Sequence, residues 1–235
     1  VVQVASVNSL GDESGTFNDK LNFYLYGGAL YNTADVTFDP DWGVTIGDNV
    51  TATFLVGDGA TDDLIIGGPI TDDAGDNGKL VKTGPGQLHL LGANTYNGAT
   101  IISNGTVRID SDTSLGDAPA SETDGHLVLN GGELLLDDAS ASLSANRNIE
   151  LGANHGTISA MDNRTLTVNG KIKGSGNLTK SGSANVVLAG ANEHTGSTTI
   201  DNGTLRISAD NNLGTVPGSP TAGHLTMDGG KLYAY

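Results

Sequence analysis

The chain has 235 residues, 35 of them glycine, a net charge of −16 and no cysteine. Such acidity works against nucleic-acid and anionic-membrane partners, and the missing cysteine excludes disulfides, thiolate zinc sites and thiol catalysis. Aromatic residues are 5% and charged residues 16%, which with abundant Gly, Asn, Asp, Ser and Thr points to many short strands joined by tight turns.

The chain opens at Val1 without Met or leader and closes on Tyr235 inside a pattern seen complete earlier, so it is expected to be a piece of a longer protein. The first segment, VQVASVNSLG at residues 2–11, parallels VRIDSDTSLG at 107–116. Gly27-Gly28-Ala29-Leu30 parallels Gly131-Gly132-Glu133-Leu134, and WGVTIG from Trp42 parallels RNIELG from Arg147.

Between these lies FDPDW, the one acidic and aromatic cluster that does not repeat. Asp39 and Asp41 flank Pro40, and Trp42 is the single tryptophan. Two carboxylates beside an aromatic ring make a candidate glycan site; the simpler reading is a proline turn with an Asp cap and a packed indole. Residues 57–63 (GDGATDD) and 71–78 (TDDAGDNG) place acids in glycine-rich turns. They read as solvated loops, and neither fits a known calcium-loop spacing.

From Gly78 a long repeat takes over. GKLVKTGPGQLHLLGANTYNGATIISNGTVRI recurs from Gly176 as GNLTKSGSANVVLAGANEHTGSTTIDNGTLRI, 98 residues on and without a gap to the chain end. The array divides into a partial unit at residues 1–77, a complete one at 78–175 and a partial one at 176–235. Short apolar alternations such as Leu88-His89-Leu90, Val107-Arg108-Ile109 and Leu166-Thr167-Val168 have the period of half-buried strands. Leu80, Ile102, Leu127 and Ile149 recur at intervals of 22–25 residues. That interval suits one turn of a wide parallel β-helix, with about four turns per unit and about ten in all. The fold class is therefore all-β, a solenoid in one continuous segment, because no stretch keeps a helical apolar face uninterrupted by glycine.

No side-chain constellation for catalysis emerges. His89 alternates with leucines and is expected to face outward, while His126 and His224 hold equivalent places in two units. His155 and His194 stand without a Ser and acid at triad spacing, and no Gly-x-Ser-x-Gly elbow occurs. Lys82 and Lys180 recur, as do Arg108 and Arg206, and are expected to pair with carboxylates on adjacent turns. No catalytic, cofactor-binding or metal-binding residue is assigned.

The repeat carries a resemblance. Leu80, Lys82, Gly84, Gly86, Leu88, Leu90, Gly92, Asn94, Tyr96, Gly98, Thr100, Ile102, Gly105, Thr106 and Val107 follow the pattern of the autotransporter-associated β-strand repeat. The second copy departs at Ala184, Val186 and His194. The resemblance implies a right-handed parallel β-helix in the passenger of a Gram-negative type V secreted protein or giant surface protein. It implies display outside the cell, and adhesion or aggregation through host or neighbouring-cell surface molecules or self-association. The expected role is a non-enzymatic adhesive rod and stalk without cofactor, nucleic-acid partner or membrane insertion of this segment. The alternatives are glycan action or binding at Asp39, Asp41 and Trp42, and a filament-forming subunit whose open strand edges join.

Overall fold

The computed structural model describes residues 2–4, 22–57, 59, 61–73, 77–219 and 221–235, with side chains from residue 22 onward. Most of the stretch that parallels 107–116, together with Asp58 and Asp76 of the acidic loops, lies outside the described residues. The chain falls into two compact units, residues 1–108 with 113–117, and residues 109–112 with 118–235.

Alternation makes the strands. Thr51–Val56 buries Ala52, Phe54 and Val56 while Thr51, Thr53 and Leu55 face the other way, as the two-residue period of a strand requires. In the first unit Val2–Val4, Gly28–Asn32, Thr51–Val56, Lys79–Thr83 and Thr100–Ile102 pair in that order. Val36–Phe38, Asp63–Ile66 and Gln87–Leu90 form a second ladder, and Asn22–Leu25, Gly43–Ile46 and Ile70–Asp72 a third.

The second unit repeats the scheme. Thr123–Leu129, Arg147–Leu151 and Ile172–Gly174 make one ladder. Glu133–Leu136, Gly156–Ala160, Leu178–Ser181, Thr198–Ile200 and Leu225–Met227 make another. The third runs through Ala141–Leu143, Thr165–Val168, Asn185–Leu188, Thr204–Ile207 and Lys231–Ala234. These pairings are all parallel, so each unit is a β-solenoid, and the described residues make about nine turns against the ten that spacing suggests.

Parallel, in-register pairing stacks like positions into columns. Leu30 lies over Phe54, and Leu134 over Ile158, all excluded from solvent. Burying each such side chain stabilises the fold by about 1.5–3 kcal/mol. Leu127 and Ile149 are register partners, as their spacing implies. Leu80, however, pairs with Thr100, and Ile102 lies over Lys82. That turn takes 20 residues rather than 22, so the apolar spacing misplaces the register there by one full alternation.

The repeat glycines at 98 and 196 serve the close approach of one turn to the next. A Cβ on Gly98 would stand 2.4 Å from the Gly78 carbonyl oxygen, and one on Gly196 would stand 2.2 Å from that of Gly176. Neither has a positive φ, so proximity rather than conformational freedom demands glycine there.

Gly98→Ala is therefore expected to cost about 1–3 kcal/mol by overpacking, read as a lower urea midpoint. Gly218→Ala, where a Cβ meets nothing within 4 Å, should leave the midpoint almost unchanged. Equal effects of the two would overturn this account of the spacing.

Candidate functional site

FDPDW forms a turn at the end of Val36–Phe38. The Trp42 N–H donates to the Asp39 carbonyl at 2.9 Å, and the Asp41 N–H donates to Asp39 Oδ1 at 3.2 Å. Asp39 and Asp41 are exposed, but Trp42 keeps only 9% of its surface and stacks on Phe38, with centroids 5.6 Å apart and planes 6° from parallel. The indole is a packing element, so it offers no platform to a sugar, and one carboxylate is occupied in closing the turn. Trp42 takes the place that Arg147 holds in the aligned segment, and Val44 and Ile46 are buried like Ile149 and Leu151.

In the acidic loops, Asp62 Oδ2 accepts the Gly59 N–H at 3.1 Å and Asp72 Oδ2 accepts the Asn97 N–H at 2.8 Å. Among the described residues no group of three or more His, Asp or Glu side chains is placed to hold a metal ion.

The histidines are scattered into structural roles. His89 faces away from the column of Leu88 and Leu90, as alternation predicts, yet it is 7% exposed rather than open to solvent. His155 sits at a positive φ and accepts the Asn177 N–H at Nδ1 (3.0 Å). His194 replaces Tyr96 of the first copy. Its Nε2 lies 3.1 Å from Thr198 Oγ1, where the tyrosine hydroxyl lies 2.6 Å from Thr100 Oγ1. Burial, then the charge of His224, holds the His194 imidazole below its ordinary value.

The repeating asparagines act the same way. Asn94 Oδ1 accepts the Ile70 N–H and its Nδ2 donates to the Ser114 carbonyl. Asn192 Oδ1 accepts the Ile172 N–H and its Nδ2 donates to the Asn212 carbonyl. Each side-chain amide thus ties together three levels of backbone.

Lys82 and Lys180 correct the expectation of surface ion pairs. Both are buried. Lys82 occupies the apolar column between Phe54 and Ile102, and Lys180 the column between Ile158 and Ile200. Lys82 Nζ donates to the carbonyls of Thr83 (2.8 Å), Gly84 (2.8 Å) and Asn104 (3.1 Å). Lys180 Nζ donates to Ser181, Gly182 and Asn202 at 2.7, 2.7 and 2.9 Å. Three ammonium donors meet three carbonyls, two on the lysine's own turn and one on the next. Gly105 and Gly203, at φ of +65° and +63°, leave room for the head group, since a Cβ on either would stand 2.7 Å from it. The signal was present in Leu-x-Lys, which puts the lysine on the leucine's face. Arg206 likewise departs from carboxylate pairing: its guanidinium lies 5.3 Å from the Tyr233 ring and 5.2 Å from that of Tyr235.

A third buried cation was not anticipated. Arg147 is fully enclosed. Its Nε donates to Asp112 Oδ1 at 3.0 Å, Nη2 lies 3.4 Å from Asp112 Oδ2, and Nη1 lies 2.9 Å from His126 Nδ1. A guanidinium has no acceptor, so the His126 ring accepts through Nδ1. The Ser144 N–H also donates to Asp112 Oδ1.

The surface of the second unit carries a small ion network. Lys171 pairs with Glu122 at 2.8 Å and Glu193 at 3.4 Å, and Lys173 with Asp124 at 2.8 Å and Glu193 at 3.4 Å. Buried Asn148 donates to Glu122 and Asp124. Hydrogen bonds from the lysines, first, and from Asn148 hold both carboxyls below their ordinary values. Water screens such exposed pairs, so they add little to stability. In the first unit Tyr24 and Tyr26 stand out from the surface as a stacked pair, with centroids 5.9 Å apart.

Residues 80–109 and 178–207 each match the family model described as the passenger-associated-transport-repeat. Over 134 residues, 54% of the chain, the sequence is 37% identical to the adhesin BmaC autotransporter of Brucella suis biovar 1 (strain 1330). The chain spans 4% of that relative's length. No solved structure matches it.

The buried lysines predict a pH dependence. Desolvation lowers Lys82 from 10.5 to about 7 and Lys180 to about 8. Between those values and 10.5 the unfolded chain binds more protons than the folded one, so this contribution raises stability as pH climbs from about 7 to 10. The melting temperature of the wild type relative to Lys82→Met should rise over that range. A flat difference would show that Lys82 holds its proton throughout.

Proposed function

We propose that the chain, which matches the passenger-associated-transport-repeat twice and resembles an adhesin autotransporter over part of its length, is a section of a non-enzymatic, surface-displayed adhesive rod. The observation that carries this reading is the pair of repeat matches 98 residues apart on a parallel β-solenoid, with the 37% identity to an adhesin autotransporter as its functional anchor. The chemistry of the side chains supports it. The buried polar groups described above join turn to turn, the one sequence-level candidate for glycan chemistry has its indole packed inside, and no helix of the described residues is long and apolar enough to cross a membrane.

On this reading the chain works outside a Gram-negative cell, presenting a wide and strongly acidic surface. Partners are molecules of host or neighbouring cell surfaces, or other copies of the passenger. Affinity would come from many modest contacts repeated along the surface and multiplied by avidity.

The test uses beads coated with the purified chain and beads coated with an unrelated protein of similar net charge. The chain-coated beads should attach to cultured epithelial cells, or to one another, several-fold more than the controls. Attachment at the control level in both assays would sink the adhesive reading, and turnover of a glycan or peptide by the chain would replace it.

A further inference from the structure

The asparagines of this chain include two contrasting groups. One is tied into the fold. Asn94, Asn148, Asn192 and Asn212 are buried, and each donates its side-chain amide to a group on another turn. The other stands at the surface. Asn49, Asn104, Asn163 and Asn202 are exposed, and each lies in a turn or bend two residues before a strand. Asn104 and Asn202 use only the side-chain oxygen, which accepts the N–H of Gly105 at 2.8 Å and of Gly203 at 2.7 Å. Asn49 and Asn163 sit at positive φ, 50° and 62°, as residues of tight turns do. None of the four donates its amide nitrogen to another described residue.

The exposed group shares a sequence. It reads Asn49-Val50-Thr51, Asn104-Gly105-Thr106, Asn163-Arg164-Thr165 and Asn202-Gly203-Thr204. Each threonine is the first residue of its strand, and none is buried. The repeat does not account for the whole set. Asn104 and Asn202 are 98 residues apart, but Asn49 and Asn163 fall outside that pairing. Asn-x-Thr without an intervening proline is the acceptor pattern for N-linked sugar, and an accessible surface turn is the place where a folded chain can offer it. Asn177-Leu178-Thr179 has the same pattern in a different setting. Asn177 is half-buried, and its Oδ1 accepts the Ser197 N–H of the next turn at 2.9 Å.

We propose that Asn49, Asn104, Asn163 and Asn202 are glycosylation sites, each accepting one sugar from a nucleotide-activated donor. The amide nitrogen bonds to the anomeric carbon of the sugar. The bond from that carbon to the diphosphate oxygen breaks, a nucleoside diphosphate leaves, and the nitrogen gives up one proton to the transferase. The transferase is a separate enzyme; this chain supplies the amide, the threonine that marks it and the open corner. Linkage at nitrogen leaves the oxygens of Asn104 and Asn202 on the N–H groups they already hold. Asn163 and Asn202 share a corner, because Thr165 pairs with Asn185 and Asn185 with Thr204. Their sugars stand two turns apart, about 10 Å along the axis at the usual strand spacing.

The test incubates the folded chain with UDP-glucose and a soluble asparagine glucosyltransferase that labels the free peptide of residues 101–109 (IISNGTVRI). Peptide mass mapping then reads hexose at each asparagine. Hexose is expected at the four sites, with little or none at Asn177 and none at Asn154, which is exposed but not followed by threonine. Thr106→Ala should abolish labelling at Asn104 and spare the other three sites, and Thr106→Ser should retain it. A folded chain that gains no hexose overturns the proposal. So does labelling of Asn104 that survives Thr106→Ala, or labelling of Asn177 as complete as that of Asn104. The comparison with Asn177 and Asn154 needs no altered chain, so a misfolded variant leaves the test intact. None of these outcomes depends on whether the surface is adhesive, which the bead assay reads on the unmodified chain.

Discussion

The structure depends on the hydrogen bond between one turn's backbone and the next. Parallel strands about 4.8 Å apart require every turn to repeat the path of the one before, in register. No turn can bury its apolar side alone, so stability is shared between neighbours. The inward columns follow directly: Leu134, Ile158 and Ile200 lie in one line because their backbones pair. So do the glycines at 98 and 196, where the preceding turn's carbonyl leaves no space for a Cβ.

That architecture leaves a difficulty at its corners, where backbone carbonyls point inward or between turns without a strand partner. The chain answers with side chains that reach across levels. Asn94 and Asn192 do so with an amide, and Lys82 and Lys180 with an ammonium held by three carbonyls. Arg147 does so with a guanidinium between a carboxylate and an imidazole. Buried charges of this kind are a poor source of stability compared with apolar packing, but they are sensitive to geometry. They also withdraw basic side chains from the surface of a chain that has 11 basic and 27 acidic residues, which leaves the solvent-facing side dominated by carboxylates.

Much of this was legible from residues alone, and the failures have specific causes. The period of two identified the strands, and the 98-residue offset identified equivalent positions, His126 and His224 among them. The offset does not say what Asp112 and His126 hold, because Arg147 approaches them from the following turn. Lys82 was expected at the surface because a lysine usually is; its face was readable from Leu80 two residues before it, but the carbonyl cage that makes burial tolerable was not. His89 faces outward by alternation and yet is covered, which depends on neighbours that local pattern does not describe. Trp42 carried two meanings in sequence, and its stacking on Phe38 selected one.

The sequence by itself determined the all-β class, the repeat and its length, and most of the apolar residues that fill the columns, since these follow from local periodicity and from composition. The tertiary structure decided which residues stand over which. Turns of 19 to 28 residues vary too much for apolar spacing to predict the partner of Leu80. It also decided which polar side chains are interior, because part of what satisfies them, such as the Asn104 carbonyl for Lys82 and Asp112 for Arg147, belongs to an adjacent turn. In a solenoid the decisive contacts are neighbours in space along the axis, and only the pairing of backbones sets that neighbourhood.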